Sequence, residues 1–139
     1  MVNYFYDDED KQKIKVTLLE GKAKTWAKSF LDKTNTGKEK PLSSTQLRKF
    51  HFEVKNLEEG LKNKLKPDVE FARVRPLLKM IKSKAAYSCR TPGKDRKIPE
   101  SFKKYIDEMI DNVHDYSDFK AFALCFEAVV GYFYGEGGK

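Results

Sequence analysis

The C-terminal part of the chain contains a segment in which apolar residues cover nearly every side of a helix. Phe119, Phe122, Phe126, Val129 and Phe133 recur at helical spacing. The other sides are filled by Ala121, Ala123, Leu124, Cys125, Ala128 and Val130. A helix without a water-facing side belongs in the middle of a bundle or against another subunit. No alternating strand pattern of useful length occurs, so we predict an all-α, single-domain bundle of about five helices, either closed or opened and swapped in a dimer.

Four further segments show apolar residues at helical spacing. In the third predicted helix, two prolines allow two alternative starting residues. The second helix begins at Ser43, which with Gln46 has the spacing of a capping box. The third begins at either Asp68 or Pro76, because proline is favoured in the first turn of a helix and disfavoured inside it. The fourth begins near Pro99. The predicted divisions are a mobile N-terminal arm at residues 1–16, the helical bundle at 17–134 and a Gly-rich tail at 135–139.

The chain is basic, and its acidic residues are unevenly distributed. The net charge is +7, yet residues 1–10 contain four of the 21 acidic residues and no Lys or Arg, so the remainder carries +11. A surplus of this size favours RNA, DNA or an acidic protein surface as a partner. The same charge can also serve solubility alone.

No set of residues has the pattern of an active site or a metal site. Cys89 and Cys125 lack the paired spacing of a zinc site and are too few for a disulfide framework. His51 lies at the edge of a core face, and His114 lies at a helix C-terminus, where a cation is favourable. We therefore expect no enzyme activity, no cofactor and no bound metal. The chain also lacks a signal pattern and an apolar run of about 20 residues, so we expect a cytoplasmic protein with no membrane partner.

A row of cations is predicted on one side of the third helix. Arg75, Lys79, Lys82 and Arg90 occupy positions i, i+4, i+7 and i+15, which share one side of a helix. At about 1.5 Å per residue the row extends about 22 Å, enough to follow several phosphates of a strand. If the helix begins at Pro76, Arg75 only flanks the row. The core face, about a quarter turn away, is assigned to Val74, Leu77, Leu78, Ile81 and Ala85.

Further binding residues are predicted on the second helix and in the basic loop at residues 90–97. Phe52 points away from the apolar stripe of its helix and lies four residues from Arg48. It is a candidate platform for a base or a neighbouring protein, or else it lies beneath the N-terminal arm or another helix. Phe133 is the second candidate interface residue. The predicted RNA-binding residues are Arg48, Lys49, Lys55, Arg75, Lys79, Lys82, Arg90, Lys94 and Arg96.

Three short segments occur in an order and spacing that point to one family. Residues 42–50 (LSSTQLRKF) contain a leucine, small hydroxyl residues, then a hydrophobic residue and an arginine. Residues 86–90 (AYSCR) contain an aromatic residue followed by an arginine, and residues 126–138 (FEAVVGYFYGEGG) end in glutamate–alanine, aromatic residues and glycines. Together they resemble the small subunit of type III-A CRISPR effector complexes, the Csm-type interference assemblies.

The resemblance implies an all-helical subunit without nuclease activity. Several copies would line a channel that holds crRNA and target RNA beside larger subunits, with arginine and lysine on the second and third helices contacting sugars and phosphates. Arg48 and Arg90 match the family's motif arginines, and Lys82 lies at a basic position five residues before the motif aromatic. The expected partners are crRNA, target RNA, other Csm effector subunits and copies of the chain itself.

Two other functions remain open on the sequence. In the first, the chain is a protein-interaction adaptor without intrinsic nucleic-acid binding, whose cations meet acidic patches while Phe52 and the C-terminal helix make the contacts. In the second, it is a DNA-binding regulator with its third helix in a major groove. Against the second function, that helix is long and its basic row lacks polar residues that read base edges.

Overall fold

The computed structural model describes residues 3–31, 40–91 and 96–139. These ranges contain six helices, of which the first is a single turn, and no strand beyond an isolated bridge between Tyr6 and Ile14. The apolar spacing of residues 19–30 predicts the first helix, and the structure interrupts it at Glu20, whose backbone is not helical. The prediction of an all-α bundle is confirmed. The helices are α1 (Val16–Leu19), α2 (Gly21–Phe30), α3 (Ser44–Lys62), α4 (Pro67–Ser88), α5 (Glu100–Asp111) and α6 (Tyr116–Gly135).

α6 is the central helix, and the other long helices surround it. It packs against α1, α2, α3 and α4, while α3 packs on α4, α4 on α5 and α5 on α2. Phe126 of α6 lies completely buried, with its ring centroid 5.0 Å from that of His51 on α3 and 5.6 Å from that of Tyr105 on α5. Each fully buried aromatic side chain stabilises the fold by roughly 1.5–3 kcal/mol. Of the two positions predicted for this helix, the middle of the bundle is the one that the structure shows.

The start of α3 agrees with its predicted cap. Ser43 is the N-cap residue, and its hydroxyl oxygen accepts the backbone N–H of Gln46 at 3.2 Å. The reciprocal bond of a full capping box is not made, since Gln46 Oε1 has no partner. The N–H of Ser44, at the first helical position, donates to the carbonyl of Lys139 at 2.8 Å. The C-terminal residue therefore lies at the first turn of α3.

The N-terminal segment is packed on the bundle, which differs from the predicted mobile arm. Phe5 is completely buried, and the hydroxyl of Tyr6 donates to the carbonyl of Ser117 at 2.5 Å. Lys11 Nζ lies 2.6 Å from Asp115 Oδ2 and 3.1 Å from the buried Asp118 Oδ1. Residues 3–15 are held because their aromatic side chains complete the core next to α6. The predicted domain limits themselves stay predictions.

The end of α6 corrects the prediction that Phe133 is an interface residue. The N–H of Gly138 donates to the carbonyl of Phe133 at 2.9 Å, and that of Gly137 donates to Tyr134 at 3.1 Å. This is a Schellman motif, and Gly137 takes the left-handed conformation that it requires, with φ of 97°. The turn lies directly on the ring of Phe133, which is completely buried and not available to a partner.

This covering turn depends on a missing Cβ atom. A Cβ on Gly138 would lie 2.2 Å from Phe133 Cε1, whereas one on Gly135 would meet nothing within 4 Å. We expect Gly138→Ala to lower the free energy of unfolding by about 1–3 kcal/mol, because the buried ring cannot move aside. Gly135→Ala, the matched control in the last turn of α6, should leave it unchanged or raise it by up to about 1 kcal/mol. Urea unfolding measures both, and equal stability of the two variants would contradict the packing described.

Candidate nucleic-acid interface

The cationic row lies on one continuous helix. α4 begins at Pro67 and continues through Pro76, so the alternative start at Pro76 is wrong and Arg75 is a helical residue in register with the row. A proline inside a helix removes one hydrogen bond, here to the carbonyl of Ala72. Both Ala72 and Pro76 are exposed, so water can satisfy that carbonyl. The first turn of α4 favours Pro67, since its missing N–H would have no partner within the helix.

Arg75 and Lys79 are the row members whose charge is not compensated. Arg75 is exposed and Lys79 half-buried, and neither forms an ion pair within the described part of the chain. Lys82 differs, because its Nζ donates to Oδ1 of Asp111 on α5. This pair places the row along the border between α4 and α5. An anionic ligand would therefore meet the strongest free charge toward the Arg75 end.

Arg90 lies beyond the helix, so its predicted place in the row is wrong. α4 ends at Ser88, and the N–H of Arg90 turns back to the carbonyl of Tyr87 at 3.3 Å. The guanidinium carbon lies 3.6 Å from the centroid of the Tyr87 ring, and Nη1 donates to the Tyr87 carbonyl at 2.7 Å. A cation held over an aromatic ring gains about 0.5–1 kcal/mol at an exposed site. The pair places a positive charge over an exposed aromatic ring at the end of α4.

Of the two further cations predicted in the basic loop, Lys94 and Arg96, the structure describes one. Lys94 lies outside the described residues. Arg96 is largely buried, and its Nε donates to the carbonyl of Thr91 at 2.9 Å while its guanidinium lies 4.0 Å from Glu100. Arg96 therefore links Thr91, which follows α4, to the first residue of α5.

The predicted cations of α3 face another side of the bundle. Arg48 and Lys49 are exposed. Lys55 Nζ lies 2.9 Å from Glu127 Oε1 on α6, and this hydrogen bond raises the pKa of Lys55 and lowers the pKa of Glu127. Arg48 lies on the same flank as Lys55, seven residues earlier. The structure therefore does not bring these residues together with the α4 row, because α3 borders α6 on one side and α4 on the other.

Exposed apolar residues occupy the face between these two cationic borders, and we call it the α3–α4 face. Phe52 is 65% exposed, so the alternative that it lies beneath the arm or another helix is wrong. Between the two helices lies a cavity of about 390 Å³ whose lining includes Leu57, Leu77 and Met80. Leu77 is 54% exposed, which corrects its assignment to the core. Further exposed apolar residues of α4 are Val69, Met80 and Tyr87.

The sequence contains a signal for this face, separate from the pattern that marks the core face of α4. Val69, Pro76, Met80 and Tyr87 lie at i, i+7, i+11 and i+18, a second stripe on the side of α4 that faces away from the core. Lys84 and Glu53, which form an ion pair at 2.9 Å, also line the cavity between α3 and α4.

The described residues supply few other chemical groups. No group of three or more His, Cys, Asp or Glu among them is arranged to hold a metal ion. The sequence predicts His51 at the edge of a core face; its ring packs against Phe126, and burial lowers the pKa of its imidazole. Within the same ranges no helix is long and apolar enough to cross a membrane.

The sequence model described as Csm2 Type III-A matches residues 13–139. The chain belongs to the Csm2 Type III-A family. The match spans nearly the whole chain and confirms the resemblance seen in its three motifs. Csm2 is a family of structural small subunits, so the chain is a subunit of a type III-A CRISPR complex and a partner of other Csm subunits. No significant match was found among curated proteins or solved structures.

Substitution of the two prolines of α4 tests whether the row is continuous. Pro76→Ala should raise the free energy of unfolding by about 1–3 kcal/mol, because it restores the hydrogen bond to Ala72 and removes a steric clash. Pro67→Ala, at the first helical position, should change it by less than about 1 kcal/mol. Thermal unfolding measures both variants. A neutral Pro76→Ala would mean that the helix begins there and that Arg75 is outside the row.

Proposed function

We propose that this chain is a non-catalytic small subunit that lines the channel holding crRNA and target RNA in a type III-A complex. It makes sequence-independent contacts with sugars and phosphates and packs on neighbouring subunits, including copies of itself. Membership of the Csm2 family supports the assembly. The observation that carries the RNA contact is that Arg75 and Lys79, on one continuous helix, form no ion pair within the described residues, with the Arg90–Tyr87 pair at the end of the same helix.

The chemistry of α4 favours backbone contact over base reading. From Arg75 to Lys82 the row covers about 10 Å along the axis, at about 1.5 Å per residue. α4 contains no Asn or Gln, the side chains that pair with adenine edges. Lys and Arg without such readers bind phosphates and position a strand without specifying its sequence. This suits a guide complex, in which base pairing between two RNAs performs the recognition.

The α3–α4 face supports packing on a neighbouring subunit. Phe52, Leu77 and Met80 expose apolar surface that a monomer has no reason to keep in contact with water. The face lies between the cationic borders, so a neighbour seated there would leave the α4–α5 border open toward RNA.

The adaptor function is the second candidate, and the internal ion pairs favour it. Lys55, Lys82 and Lys84 each have an acidic partner within the chain, so part of the basic surface is already neutralised. If Arg75 and Lys79 were likewise engaged by acidic groups of another subunit, the chain would act through protein contacts alone.

A double charge reversal separates the two functions. Arg75→Glu with Lys79→Glu should lower affinity for single-stranded RNA at least tenfold, and should reduce the slope of log K against log salt by about 1.4, or roughly 0.7 per lost phosphate contact. Fluorescence anisotropy of labelled RNA measures both quantities. Circular dichroism should be unchanged, since Arg75 is exposed and Lys79 is only partly buried.

The matched control is Lys13→Glu with Lys24→Glu, which changes the net charge equally at two exposed lysines outside α3 and α4. Equal losses in the two double variants would show that only the overall charge matters. RNA binding that survives the row variant, or is absent from the wild type at low salt, would support the adaptor.

A further inference from the structure

A second cavity lies at the border of α2 and α5, away from the α3–α4 face. Its volume is about 380 Å³, and it is lined by one side of α2, by the residues before α3 and by the first turns of α5. This volume is in the range of sites that enclose a small organic ligand. The lining differs from that of the α3–α4 cavity because it combines an indole ring with two lysines.

The indole of Trp26 forms a fixed wall of this cavity. Its ring lies edge to face with the buried Tyr105, at 5.3 Å between centroids, and 6.3 Å from the ring of Phe30. These contacts hold the ring from the core side, while the residue remains partly exposed at the cavity. A rigid, partly exposed aromatic ring is the kind of surface on which a nucleobase stacks, with about 1–3 kcal/mol per base.

The charged residues of the cavity favour an anion. Lys40 and Lys104 are both exposed lining residues, and neither forms an ion pair within the described ranges. The single acidic lining residue, Glu100, has the guanidinium of Arg96 at 4.0 Å. The two lysine charges are therefore not balanced by the acid beside them, and a phosphate would be attracted to them.

Two hydroxyl groups of the lining are oriented as acceptors. Thr25 Oγ1 donates its proton to the carbonyl of Gly21 at 3.0 Å, and Ser101 Oγ donates to the carbonyl of Ser29 at 3.0 Å. With their protons engaged, both oxygens keep lone pairs for the amino or imino groups of a base.

We propose that this cavity binds one nucleotide, with its base on Trp26 and its phosphate between Lys40 and Lys104. The ligand class is a nucleoside 5′-monophosphate, either free or as one unit of a single RNA strand. For the strand, the site rests on the proposed RNA-binding function, and it adds a base contact that the α4 row lacks. Because every base has a face to stack, the site tolerates different sequences.

The chain carries its own probe for this site, since Trp26 is its only tryptophan. The full chain is titrated separately with AMP, UMP, ribose 5-phosphate and a short single-stranded RNA. The fluorescence of Trp26, excited selectively, is recorded during each titration. We expect saturable quenching by the two nucleotides and the RNA, and at least tenfold weaker binding of ribose 5-phosphate, which lacks a base. Response to AMP and UMP identifies free nucleotide as a ligand, and response to RNA alone identifies the strand.

Variants then locate the site. Lys40→Ala with Lys104→Ala should weaken binding at least tenfold with unchanged circular dichroism, because both side chains are exposed. Lys22→Ala is the matched control, since Lys22 lines the neighbouring cavity that Trp26 also borders. An unchanged dissociation constant in the double variant, or an equal loss in the control, would overturn the assignment.

The experiment separates this site from the proposed function. Trp26 fluorescence that responds to no ligand, while anisotropy shows salt-dependent RNA binding, overturns the nucleotide site and leaves the α4 row in place. Failure of both signals rejects both. Nucleotide binding without any RNA binding supports the cavity and rejects the channel-lining role.

Discussion

The fold depends on the burial of α6. Ten of its 20 residues are buried, and Phe119, Phe122 and Phe126 are completely enclosed, so this helix is stable only when other helices cover it. α2, α3 and α4 pack directly on it, and α5 closes the ring between α4 and α2. The turn at Gly138 covers its C-terminal end, and the N-terminal segment covers its start. Each of the surrounding long helices therefore packs one side against the core and exposes the other side to solvent.

The free faces differ because ion pairs form where neighbouring helices meet. Lys55 pairs with Glu127 across α3 and α6, and Lys82 pairs with Asp111 across α4 and α5. Exposed pairs of this kind contribute only about 0–1 kcal/mol to stability, so their larger effect is to neutralise lysines. Some of the 28 Lys and Arg residues are therefore not available to a ligand, whereas Arg75 and Lys79 on α4 form no ion pair within the described residues. The apolar α3–α4 face lies between the α3–α6 border and the α4–α5 border.

Helical periodicity is sufficient to predict the all-α class, the burial of α6 on most of its sides and the cap at Ser43, because these follow from local sequence. The predictions that are wrong concern residues whose position depends on contacts with residues distant in the sequence. Phe133 is covered by the turn that follows the end of α6. Whether Arg90 belongs to the cationic row depends on the residue at which α4 ends. Leu77 has the spacing of a core residue but lies past the edge of the contact with α3. Pairing of Lys82 with Asp111 joins residues on different helices, which no single-helix pattern reports.

The central claim is that cations on α4 bind the RNA backbone by charge and do not read its sequence. The most direct measurement is the affinity of the purified chain for two single-stranded RNAs of equal length and unrelated sequence, across a salt series. The account predicts that log K falls linearly with log salt for both RNAs, with the same slope and affinities within about tenfold of each other. An affinity that does not change with salt concentration, or that is much higher for one of the two sequences, would contradict the account.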